Sequence, residues 1–177
     1  MKITLSIALA LMVSIATTGC GGSSAADVSS QPLTPALLDG SKYVLPDEPD
    51  GAIGVIAARE SATDGEPIVI VGRIGGATNP WIEGRAAFML LDASMVLVAD
   101  GTESTEGEIC MDECCATERA ESTTLVKVVD DNGRVLAADA RQLWGLAADD
   151  MVVVRGKAKK DDNGNFVVMA DGVHIRE

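Results

Sequence analysis

The stretch MVVVRGKAKKDDNGNFVVMADGVHI, from Met151 to Ile175, decides how this chain folds. Val152, Val153 and Val154 are β-branched, and Arg155, Lys157 and Lys159 then alternate with Gly156 and Ala158, the period of a strand with one wetted face. Asp161-Asp162-Asn163-Gly164 is a turn signal, because Asn-Gly accepts at low cost the positive φ that a tight reversal needs. Phe166 to Ile175 returns as the second arm, so a long hairpin is expected. Arg155, Lys157 and Lys159, with Lys160 beside them, form the one basic stripe of the sequence. It reads as a solvated strand face or as a docking face for an acidic glycan, a phosphate or the chain's own acidic loop.

Working back towards the N-terminus, Ala137 to Ala147 carries Leu143, Trp144 and Leu146 and reads as a short helix or turn. Thr123 to Val129 is a strand that runs into Asn132-Gly133, with Arg134-Val135-Leu136 as its return arm. Arg85 to Asp92 is another strand, and Ile68 to Val71 a further one that ends at Gly72. The glycines of Gly72-Arg73-Ile74-Gly75-Gly76 mark a bulge or a close backbone approach. Ala52 to Ala62 reads as helical. About five strands, a helix between the third and fourth, and glycines where strands must curl predict a mainly β chain closed into a small barrel.

This order resembles the OB-fold, a five-stranded Greek-key barrel with a helix before its fourth strand. The likeness is closest over Ala148 to Gly156 and Ala170 to Ile175. The expected barrel domain spans residues 65–177, with a short helix leading in over 51–64. The resemblance implies ligand contacts in the first hairpin loop, where Trp81 follows Asn79-Pro80. Trp144 is expected in the core. With Tyr43, Phe88 and Phe166 the only other aromatic residues, a stacking platform for bases or sugars would be thin.

Gly65 to Arg176 also resembles an uncharacterised family of bacterial exported proteins, through the blocks Gly72-Arg73-Ile74-Gly75-Gly76, Glu83-Gly84-Arg85-Ala86-Ala87-Phe88 and Cys114-Cys115. That resemblance implies export and brings no established activity. The family commonly has an aromatic-rich stretch before its paired cysteines. Here Cys110-Met111-Asp112-Glu113-Cys114-Cys115 lacks the Pro, Trp and Tyr.

The first residues give an address. Lys2 precedes an apolar-rich run from Ile3 to Ala16 and then Thr17-Thr18-Gly19-Cys20. Residues 1–19 read as a lipoprotein signal peptide and Cys20 as its lipidation site, since Cys after Gly in a small-residue cleavage region is where bacterial lipoproteins receive their acyl chains. The run falls short of the ~20 residues that span a bilayer. Residues 20–50, rich in Ser, Pro, Asp and Ala, read as a flexible linker behind that anchor. The expected location is the outside of a bacterial membrane, and the outer membrane in a cell with two, because Gly21 rather than Asp follows the cysteine.

Fourteen basic residues against 27 acidic ones give a net charge of −13. Nucleic-acid binding is disfavoured, since affinity for phosphates rests on Lys and Arg. No nucleophile with a base, phosphate loop or metalloprotease motif is present. The Asp149-Asp150 and Asp161-Asp162 pairs are adjacent, so along a strand they would face opposite ways. The expected function is a non-enzymatic binding or scaffold module for an envelope protein or glycan.

Chemistry concentrates at Cys110, Cys114 and Cys115, within a segment rich in Asp and Glu whose one base is Arg119. In an oxidising compartment the first reading is a disulfide, Cys110 to Cys114 or Cys110 to Cys115, or a vicinal Cys114–Cys115 bridge, with one thiol left over and no cofactor. The alternative is a copper or zinc site, or a thiol-redox site, on the same sulfurs, with His174 or a carboxylate as a completing ligand. The absence of a second C-x2-C pair and the neighbouring acids, which disfavour thiolates, count against structural zinc. His174 is the only histidine. If Val173 and Ile175 point inward, alternation puts it outside.

Overall fold

The computed structural model describes residues 38–98 and 106–176. The expected signal peptide, Cys20 and the expected linker up to residue 37 lie outside the described residues, as do residues 99–105 at the start of the acidic segment. Five long strands close a barrel: β2 (Pro67–Ile74), β3 (Ala87–Asp92), β6 (Thr123–Val128), β7 (Met151–Lys160) and β8 (Phe166–Ile175). In the intervals stand β1 (Ile53–Gly54), β4 (Val96–Val98), β5 (Glu108–Cys110) and the helices α1 (Val55–Ser61), α2 (Ala116–Ser122) and α3 (Ala140–Trp144). Around the barrel the order is β2-β3-β6-β8-β7, and β7 returns to β2. Of the five barrel strands only β6 and β8 pair in parallel. That mixed closure, with α3 between the third and fourth barrel strands, is the OB-like Greek-key arrangement.

Alternation places the core. Ile70 and Ile74 on β2, Phe88 and Leu90 on β3, Val126 and Val128 on β6, Val152 and Val154 on β7, and Val168 and Ala170 on β8 have no exposed surface and form one cluster. Closing so few strands bends them sharply, and glycines sit where backbones meet. A Cβ on Gly72 would collide with the Leu91 carbonyl and the Leu90 side chain across the β2–β3 pair. At Gly156 the β7–β8 register shifts in a bulge, and a Cβ there would meet the Met169 carbonyl. Small-residue positions of this kind let a strand coil over its own barrel.

Both Asp-Asp-Asn-Gly segments are turns of the same build. Asp161 Oδ1 accepts from the Asn163 and Asn165 amides, Asp130 Oδ1 from the Asn132 and Arg134 amides, and Gly164 and Gly133 hold positive φ. The return arm after Gly133 is shorter than a strand. It makes one bridge, Val129 to Val135, and the Leu136 amide donates to the Val128 carbonyl. The expected helix over 52–62 begins at Val55, because Ile53 and Gly54 pair in parallel with β2.

The reading of residues 20–50 as linker needs correction over its last part. Tyr43 is buried in the barrel cluster, the Leu45 amide donates to the Val173 carbonyl at 2.9 Å, and Trp144 Nε1 donates to the Gly40 carbonyl at 2.9 Å. Arg176 pairs with Glu48 at 2.6 Å. Tyr43 and Leu45 are too sparsely spaced to show a period, yet each finds a place on the barrel, and Val55 and Ala58 of α1 join the core as well. The packed unit therefore includes residues ahead of Gly65.

Between β3 and β6 the chain makes an excursion rather than a plain loop. β4 and β5 form a two-stranded parallel ribbon, followed by a 3-10 turn at Glu113–Cys115 and α2. Leu91, Met95 and Ile109 form a satellite cluster under it, with Ile56, Leu97 and Cys115 packed against them. Arg59 on α1 fastens α2 to the barrel by donating to the carbonyls of Ala120 at 3.0 Å and Glu121 at 3.2 Å. Asp92, buried at the end of β3, accepts from the Ile56 amide at 2.9 Å and from Ser94 Oγ at 2.6 Å. Burial pushes its carboxyl up, and the hydrogen bonds from Ser94, Ile56 and Val55 outweigh that and hold it below the usual carboxylate range. Among the described residues no helix is long and apolar enough to cross a membrane.

Candidate functional site

Among the described residues two places stand out by their chemistry. The first is the cysteine cluster. Cys110 ends β5 and is buried, while Cys115 ends the 3-10 turn; their Cα atoms are 6.0 Å apart and they form a disulfide. Of the pairings left open by spacing, it is this one that is formed. Cys114 keeps an exposed thiol 3.8 Å from each of the bridged sulfurs, and the three sulfurs lie within 4.8 Å of one another. Arg119, one turn into α2, donates to the Cys110 carbonyl at 2.9 Å and the Asp112 carbonyl at 3.2 Å, and so fixes the turn from the side. The lone base of an acidic segment is thus spent on backbone carbonyls, a role that composition does not reveal.

His174 is not part of this cluster. It stands in β8 opposite Val153 on β7, and its Nδ1 lies 3.0 Å from the Leu45 carbonyl, half-buried under the N-terminal segment. Alternation does turn it out of the barrel, as expected, but residues 44–46 cover part of it, so it is half-buried beside them and is not grouped with the sulfurs.

Arg155, Lys157 and Lys159 are exposed along β7. Arg155 pairs with Asp171 at 2.7 Å and Lys159 with Asp64 at 3.4 Å. Lys157 and Lys159 line a cleft of about 500 Å³ that also holds Lys42, Asp130, Asp131 and Asp171. Its charges are of both signs and largely matched, Lys42 to Asp131 at 3.7 Å among them. Trp81 is committed to the barrel. Its ring lies 6.2 Å from Phe88 and carries the Arg141 guanidinium 5.5 Å from its centroid. Arg141 is fixed by buried Asp139, the N-cap of α3, through contacts of 2.6 and 2.9 Å. Hydrogen bonding from Arg141 outweighs burial and holds the Asp139 carboxyl down at about 2.

The second place is a groove of about 410 Å³ on the outer face of β3 and β6. Ile82, Ala87, Leu125 and Val135 floor it, and Ile82 is 43% exposed. Arg85, Lys127 and Arg134 rim it. Arg134 pairs with Asp130 at 2.9 Å, whereas among the described residues the Arg85 and Lys127 side chains have no ion-pair partner. Three cations around apolar surface stand out on a chain of net charge −13. The sequence hides this grouping because Arg85 is far along the chain from Lys127 and Arg134. The available signal is the alternation of β6, which sends Leu125 and Lys127 to one face, together with the pairing of Lys127 with Ala87. No protein-family model and no curated protein matches the chain.

Proposed function

We propose that this chain is an exported lipoprotein, anchored through Cys20, whose OB-like barrel serves as a non-enzymatic binding module for an acidic segment of an envelope protein. The observation that carries this reading is the groove across β3 and β6. Its floor accepts an apolar side chain, and its rim offers cations to carboxylates on either side. An aliphatic floor with no aromatic ring suits an apolar side chain better than a sugar face. Among the described residues two of the three cations have no carboxylate partner, so a ligand need not displace an ion pair there to reach them. The larger cleft beside β7 lacks that advantage.

The anchor is tested by Cys20→Ser, which should release the protein from membranes or leave an unprocessed precursor; unchanged detergent partitioning and mature mass would contradict it. The groove is tested by titrating the purified chain with synthetic acidic peptides carrying one central Leu, in parallel with an uncharged peptide and an acidic oligosaccharide. The acidic peptide should bind, weaken as salt rises, and lose about tenfold with Arg85→Glu plus Lys127→Glu, since two exposed ionic contacts at ~0.7 kcal/mol each come to ~1.4 kcal/mol. Binding that ignores the double variant, or binding of the oligosaccharide alone, would overturn the assignment.

A further inference from the structure

The three sulfurs between β5 and α2 have the spacing of a metal-binding set. Three thiolates each about 2.3 Å from one cation stand about 3.8 to 4.0 Å apart. The edges from Cys114 to Cys110 and from Cys114 to Cys115 are both 3.8 Å. Two sides of the triangle therefore already fit, and only the Cys110–Cys115 side has to open. The backbone that holds them does not depend on that bond alone. Arg119 pins the carbonyls of Cys110 and Asp112, and the Cys115 amide donates to the Asp112 carbonyl at 3.2 Å. Cys110 is buried, which shields one side of the site, while Cys114 is exposed and leaves the other open to an arriving ion.

We propose that Cys110, Cys114 and Cys115 form a redox-gated site for one monovalent soft cation, Cu(I), of which the Cys110–Cys115 disulfide is the closed form. Opening takes a dithiol reductant. By thiol–disulfide exchange it supplies two electrons and two protons, becomes a disulfide itself, and leaves three protein thiols. Cu(I) then binds three sulfurs and releases three protons, with no further change of oxidation state. Thiolates select soft ions, and three ligands suit Cu(I), whereas zinc takes four. Among the described residues the cluster contains these three ligands and no fourth. The acidic segment around them attracts cations during encounter, but one Cu(I) in exchange for three protons leaves the cluster more negative, so the neighbouring carboxylates oppose loading and the copper–sulfur bonds must outweigh them.

This site is separate from the groove, and its test does not touch the groove. The purified full chain is reduced under anaerobic conditions, freed of reductant, and titrated with Cu(I) against a chromophoric Cu(I) chelator, with Cys20→Ser run in parallel so that an unacylated Cys20 is not counted. One equivalent should bind in both, with three sulfur neighbours in X-ray absorption. Cys114→Ser leaves Cys110 and Cys115 in place, and so keeps the crosslink when oxidised. It should bind at least about 100-fold more weakly, since even outer-shell changes cost about 10–100-fold. The oxidised protein should take up no stoichiometric copper. Affinity in Cys114→Ser equal to that of the parent chain, equal uptake by the oxidised form, or tighter binding of Zn(II) than of Cu(I) would each overturn the proposal.

Discussion

Phe88 in the barrel and Ile109 in the excursion are equally buried, with no exposed surface on either, yet their surroundings differ in kind. Phe88 lies in a strand that pairs with β6 along most of its length and with β2 at its far end, and it packs in the main core. Ile109 lies in a three-residue strand with one partner, β4, and its cluster has two other buried members, Leu91 and Met95. The barrel is held by long-range pairing around a shared core. The excursion is held by a local crosslink, a small satellite core and two arginines that grip carbonyls. Strands with this many non-local partners unfold together, whereas a segment with few buried contacts opens by itself. A scaffold that stays rigid can thus carry a site whose chemistry changes with its redox state.

The sharpest way to break this comparison is to make the same kind of cut in both regions. Phe88→Ala should cost about 3–5 kcal/mol of global stability, and Ile109→Ala, although a core truncation of the ~2–5 kcal/mol class, should register mainly as local opening of the excursion. Denaturant melts with a barrel-specific probe check this. An equal shift of the global midpoint in the two variants would show that the regions are one cooperative unit. Next in size, Gly72→Ala should destabilise the barrel by about 1–3 kcal/mol, because the new methyl meets the Leu91 carbonyl on β3 as well as the packed Leu90 side chain.

The smallest effect is one of pH. Asp139 has its carboxyl held at about 2, against an unfolded value of about 3.9. A depressed folded value stabilises above the unfolded one and is lost as pH falls through the folded one. Thermal melts of the parent chain and Asp139→Asn should therefore differ most above pH ~4 and converge towards pH ~2. A gap that stays constant over that range would remove Asp139 as the cause.

The same contrast explains what could be read from the residues. Barrel strands were legible because one side of each faces a continuous core, so Val152 and Val154 or Val126 and Val128 repeat at a spacing of two. β4 and β5 are three residues long, too short to show a period, and α2 is a short helix whose only buried residue is Ser122. The attachment of residues 38–50 was hidden because Tyr43 and Leu45 act singly. At the cysteines, spacing narrowed the pairing to a few choices, and the turn pinned by Arg119 selects among them. The cationic groove was least visible, since Arg85 and Lys127 meet only through the register of β3 with β6.

Amide hydrogen exchange of the purified chain with the Cys110–Cys115 disulfide intact and reduced tests the central claim, that the barrel folds independently of the cysteine excursion. Closing so short a loop restricts the unfolded chain by about 2 kcal/mol. On reduction, protection should fall within residues 95–98 and 106–122 and remain unchanged in β2, β3, β6, β7 and β8. Loss of protection throughout those five strands would contradict the account.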